Sequence, residues 1–183
     1  AAVDALKDAI KRRAGNLRPY AMPTSEFDLA FITPVLNLAG QSQPNQDFSN
    51  WSAYVADIPP VLLIRVTPKM AEPFWAKMAR GAAYTHGMAL PALKRLKSGF
   101  ERLQAFCDRT EVAPIHPFKL DLRVSETDTV YEGLYAFDPA ALGPACATVT
   151  LALYSEKEPT KADTRVIDPK ILRQIWQDLE LDG

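Results

Sequence analysis

The chain has 183 residues, 48% of them apolar and 23% charged, enough to fill one hydrophobic core. Its formal net charge is −1 and no basic run marks a phosphate-tracking stripe, so nucleic acid is not expected as a partner. No run of about 18 apolar residues occurs, so no helical membrane span is expected.

Proline is frequent at 15 and glycine scarce at 8, which favours strands joined by loops over a helical bundle. In chain order, residues 1–14 place Val3, Leu6 and Ile10 at helical spacing before Gly15-Asn16. The division expected is an N-terminal helix or linker over 1–16 and one α+β domain over 17–183. The chain opens on Ala1 without a methionine, a small-residue start compatible with cleavage after a secretory signal. Residues 19–25 read as a connector. Residues 27–38 read as an edge strand, or two short ones, interrupted at Pro34. The most polar stretch, 40–50, reads as an exposed loop, and 51–57 as a short helix capped by Ser49 or Asn50.

Residues 61–66 (VLLIRV) are almost continuously apolar, as in a strand buried on both faces. Over 70–85 a helix is expected, with Phe74, Met78 and Ala82 on one face and Trp75 beside them. Leu93, Leu96, Phe100 and Leu103 stand at helical spacing, but Ser98-Gly99 breaks that run, and residues 100–114 are read as extended, turning at 108–110. Residues 118–124 alternate strictly: Phe118, Leu120, Leu122 and Val124 on one side, Lys119, Asp121 and Arg123 on the other. After a polar turn at 125–129, residues 130–137 return as a second strand. A third runs over 147–154, with Val149, Leu151 and Leu153 on one face. These three are expected to form the central antiparallel sheet. Asp168-Pro169 opens a last helix, Asp as N-cap and Pro at the first turn, with Ile171, Leu172, Ile175, Trp176 and Leu179 as its apolar face. The fold class expected is therefore α+β: an antiparallel sheet or sandwich core with flanking helices, one of them a C-terminal amphipathic helix.

Sites of chemistry are few. His86 and His116 are the two histidines, and they are the weak candidates for a catalytic role; a surface or hydrogen-bonded structural role is the plainer reading. Their spacing matches no metal motif, and no metal or other cofactor is expected. No serine stands in a nucleophile-elbow sequence. Tyr131, Gly133 and Tyr135 share one strand face, with the glycine leaving room between two rings. Such a stripe serves either as a binding platform or as core. Cys107 and Cys146 both lie at strand ends, outside any C-x-x-C. Two separate buried thiols or one mutual disulfide fit that placement, and the disulfide is preferred. It would place the protein in a periplasmic or extracellular compartment.

The segments PPVLLIRVTPKM, FWAKMARGAA, EVAPIHPF, VYEGLYAFDP and LYSEKEPTKADTRVIDPKILRQIWQDL resemble a C-terminal region of poorly characterised bacterial proteins. Some of those carry an upstream trypsin-like serine protease domain. The resemblance runs from about residue 27 onward. The protease motifs A-A-H-C and G-D-S-G-G-P are absent here, so it implies an accessory part and transfers no catalytic residue. The function expected is a non-catalytic accessory or interaction domain of a secreted or periplasmic protein. Its partner would be another protein or an upstream protease domain. The alternative is a hydrolase whose site is assembled from dispersed residues around His86 or His116.

Overall fold

The computed structural model describes residues 11, 18–34, 36, 60–92, 95–123 and 129–179. Most of the 1–14 helix and of the 125–129 turn, the 40–50 loop and the 51–57 helix lie outside the described residues. In chain order the strands are β1 (Tyr20–Pro23), β2 (Phe27–Ile32), β3 (Leu62–Pro68), β4 (Met70–Ala71), β5 (Arg95–Leu96), β6 (Phe100–Cys107), β7 (Thr110–Val112), β8 (His116–Arg123), β9 (Thr129–Phe137), β10 (Val149–Ser155) and β11 (Ala162–Val166). Among the described residues the α-helices of two turns or more are α1 (Phe74–Thr85) and α2 (Pro169–Asp178).

Two antiparallel sheets enclose the core, one in the order β1-β2-β3-β9-β8, the other β11-β10-β6-β7. The first supplies Phe27, Leu29, Phe31, Leu62, Ile64, Val66, Tyr135 and Phe137; the second supplies Phe100, Leu103, Ala105, Val149, Leu151 and Leu153. Phe100 sits between the sheets, edge-on to Phe27 at 5.8 Å and to Tyr135 at 6.1 Å. Gly133 on β9 faces that ring, since a Cβ there would stand 2.5 Å from Phe100 Cε1. The gap between Tyr131 and Tyr135 is thus filled from the opposite sheet.

The pairing differs from the expectation. β8 and β9 pair as expected, but β10 pairs with β6 and β11 in the other sheet. β2 is an interior strand, because 19–25 is no mere connector and contributes the edge strand β1. β2 stops at Ile32, ahead of Thr33-Pro34, where proline has no N–H to donate to a ladder. β3 is buried on one face only: Arg65 is exposed and Leu63 half-buried.

The alternation in β8 is real, but its apolar side faces outward. Phe118 opposes Leu134, which also opposes Arg65 of β3, and directly opposed residues share a face. That is the outer face, so Phe118 is 47% and Leu120 38% exposed. On the inner side Lys119 reaches Glu101 of β6 at 3.5 Å.

α2 forms as the sequence indicates. Asp168 accepts the Lys170 amide at 2.8 Å, and Pro169 occupies the first turn. Leu172 and Ile175 are buried in the core cluster, with Ile171, Trp176 and Leu179 packed partly against it. The Trp176 indole donates to the Leu142 carbonyl at 3.0 Å. Near the helix C-terminus, Asp178 accepts from the Tyr20 hydroxyl at 2.9 Å and the Thr33 hydroxyl at 3.1 Å.

Between β3 and β6 the chain leaves one sheet, makes α1, and returns to the other. β4 and β5 close the base of this excursion in the register Met70↔Leu96 and Ala71↔Arg95. The Lys97 amide continues the pairing to the Lys69 carbonyl at 3.0 Å.

Candidate functional site

Neither histidine builds a reaction centre. His86 caps the C-terminus of α1 and is exposed. His116 opens β8, exposed, with its ring 5.8 Å from that of Phe118. Neither side chain hydrogen-bonds to a hydroxyl or carboxylate among the described residues. No group of three or more His, Cys, Asp or Glu suited to a metal occurs among those residues either.

The tyrosine face of β9 is not an open platform. Tyr135 is 5% exposed, and its hydroxyl accepts the Leu103 amide at 3.2 Å. Burial pushes its pKa above the ordinary tyrosine value. Tyr131, toward the start of the strand, remains 47% exposed. Only one of the two rings is therefore presented to solvent: both lie on the same face of β9, but Phe100 packs against Gly133 and Tyr135.

Cys107 and Cys146 are joined in a disulfide spanning 39 residues, with Cα atoms 5.2 Å apart. The bridge ties the end of β6 to the approach to β10. Val149 pairs with Cys107, and Asp108 holds the Thr148 amide at 2.8 Å. Asp108 turns the β6–β7 hairpin with φ 54°, in the region that Asp tolerates better than most residues.

An ion pair with a buried carboxylate lies on the outer face of the five-stranded sheet. Arg65 grips Glu132 through two bonds, 3.1 and 2.8 Å, and Thr67 adds a third contact at 3.4 Å. The Glu132 side chain is 5% exposed, so this pair satisfies a buried carboxylate and offers nothing free to a substrate.

α1 presents the surface of a different kind. Ten of its twelve residues are exposed, and its buried residues are Ala76 and Ala83. By the helical period, Phe74 and Met78 lie roughly opposite those alanines. The face expected to pack inward therefore points outward: Phe74 is 76%, Met78 60% and Trp75 56% exposed. Tyr84, Met88 and Leu90 continue the apolar surface past the helix end. With Lys77, Arg80 and Gly81 they line a groove of about 470 Å³. Arg80 is anchored by Glu72 through bonds of 3.0 and 2.6 Å. That hydrogen bond raises the guanidinium pKa further, so Arg80 stays cationic.

No signal in 74–85 announced this orientation. Hydrophobicity weights Phe74 and Met78 as the inward face, while the residues that pack are two alanines. Compared with protein families, curated proteins and solved structures, the chain finds no match in any of the three, so this surface has to be interpreted from its own chemistry.

Proposed function

We propose that the chain is a non-catalytic interaction module of an exported protein, and that α1 with its following loop is the surface it uses. The observation that carries this reading is the outward apolar face of α1. Monomeric soluble proteins rarely hold several large apolar side chains together in water, and such patches mark interaction sites. The Cys107–Cys146 bridge supports an oxidising compartment, where disulfides persist. A hydrolase built around His86 or His116 draws no support from the geometry described above.

The test is site-specific photocrosslinking in the cell of origin, with a photoreactive residue in place of Met78. A covalent adduct at this position, and none with the probe in place of Arg173 on α2, is the expected result. No adduct at Met78 would remove the reading.

A further inference from the structure

From the chemistry around α1 we infer that its partner is the surface of an anionic lipid bilayer, on which the segment from Phe74 to Leu90 lies flat. This rests on the reading of the chain as an interaction module and names what the module touches.

Charge is the first argument. Between Glu72 and Glu101 the sequence has no Asp or Glu over 28 residues, yet contains Lys77, Arg80, Lys94, Arg95 and Lys97. At the chain's average of 22 acidic residues in 183, such a run would hold about three. Arg80 is balanced by Glu72, which leaves four cations in the run without an acidic residue between them. The chain as a whole is at −1, so positive charge is enriched along this stretch of the sequence, and Lys77 places one of these cations on α1 itself.

Geometry is the second. A helix in the plane of a membrane buries an apolar stripe at the headgroup–acyl boundary and keeps cations at its flank. Phe74 and Met78 form the stripe. Lys77, between them in sequence, is displaced to the side that bears Tyr84, and its aliphatic stem allows the ammonium to reach phosphate. Trp75 and Tyr84 are the amphipathic rings that favour a bilayer interface. Met88 and Leu90 extend the apolar area beyond the helix.

A protein partner is the competing occupant. The cores of protein interfaces are depleted in Lys, whereas an anionic lipid surface rewards each cation near it. A polyanion alone would use the cations and leave Phe74, Met78 and Leu90 in water.

The experiment floats the full oxidised chain with vesicles of phosphatidylcholine containing phosphatidylglycerol, and with phosphatidylcholine vesicles alone. Binding to the first, weak binding to the second, and loss of binding with added salt are expected. Phe74→Ser with Met78→Ser should lower the partition coefficient at least about tenfold. Lys77→Glu should lower it about tenfold for the anionic vesicles only. Both variants change exposed residues, so an unaltered melting temperature certifies that they fold. Absence of flotation by the wild-type chain overturns the lipid assignment. So does flotation that the variants do not weaken, because the contact then lies elsewhere. If the wild-type chain instead self-associates and Phe74→Ser with Met78→Ser abolishes that, the occupant is a second copy. The lipid assignment then fails while the module reading stands, as it also does if the adduct at Met78 is a protein. No adduct together with no flotation sinks both.

Discussion

Adding one methyl group at Gly133 tests the packing between the two sheets. An alanine Cβ there would stand 2.5 Å from Phe100 Cε1, 2.8 Å from Cζ and 2.9 Å from Tyr135 Cε2. Neither ring has room to withdraw. Phe100 is 0% exposed and abuts Phe27, and the Tyr135 hydroxyl is held by the Leu103 amide. Overpacking of this kind costs about 1–3 kcal/mol. The stiffer unfolded chain of the alanine variant offsets about 0.4–1 kcal/mol. A net loss centred on about 1.3 kcal/mol remains, which for a chain of this length lowers the melting temperature by roughly 3–5 °C. Gly81 supplies the opposite sign. It lies within α1, exposed, with no atom within 4 Å of its Cβ position. Gly81→Ala should therefore stabilise by about 0.5–1 kcal/mol through helix propensity. Thermal unfolding followed by circular dichroism compares both variants with the parent. A Gly133→Ala protein melting at or above the parent temperature would refute the clash. In the Gly133→Ala background, Phe100→Leu should cost less than it does alone, because the two changes share one contact.

Ile175→Ala, which removes a fully buried anchor of α2, should cost about 2–4 kcal/mol in denaturant unfolding; an unchanged midpoint would show that α2 does not contribute to the core. Replacing Cys107 and Cys146 together by Ala should cost about 4 kcal/mol by the chain-entropy relation for a 39-residue span. Thiol titration of the denatured, unreduced protein should find no free thiol, and two per chain would exclude the bridge. Tyr135 should ionise above the ordinary tyrosine range in a spectrophotometric alkaline titration. Its raised pKa means the folded state retains the phenolic proton that the unfolded chain releases, so this contribution is complete below the ordinary tyrosine range and is lost as pH rises above it. Tyr135→Phe should remove one phenolic ionisation from the part of the titration above the ordinary tyrosine range, and an unchanged curve there would refute the shielding of Tyr135.

Strand positions were legible where side chains alternate, as in β8 and β10, or where aromatic residues gather, as in β9; in β6 helical spacing of Phe100 and Leu103 competed with the extended reading. What alternation cannot say is which side is the inside. In β8 the apolar set Phe118 and Leu120 faces out, because pairing with β9 fixes the register and β9 turns Gly133, Tyr135 and Phe137 toward Phe100. β11 was missed for a related reason: its five residues, ADTRV, are half-buried or exposed on an edge and carry no apolar period. β1 was missed because four residues that follow Pro19 and end on Pro23 resemble a connector. Placing β10 in the same sheet as β8 and β9 followed sequence adjacency, whereas β6 and β11 are its partners. α2 was readable end to end, since Asp168-Pro169 marks its start and the Ile, Leu and Trp spacing its buried side. The α1 surface was visible as residues but not as a surface. Its periodicity is that of a core helix, and its orientation follows from Ala76 and Ala83 being small enough to pack close.

The two-residue ribbon of β4 and β5 separates the evolution of α1 from that of the sandwich. Met70 and Leu96 face each other across one pair of strands, so everything between Ala71 and Arg95 leaves and rejoins the body at nearly the same place. Strands β3 and β6, which supply core residues from both sheets, end or begin beside this junction. The cost of bringing its ends together grows only slowly with the length of such an excursion. Insertions, deletions or wholesale exchange of α1 should leave the registers of β3 and β6 intact. The architecture thus works as a socket: one fixed body on which different recognition segments can be mounted, each free to drift in sequence without endangering the fold that carries it.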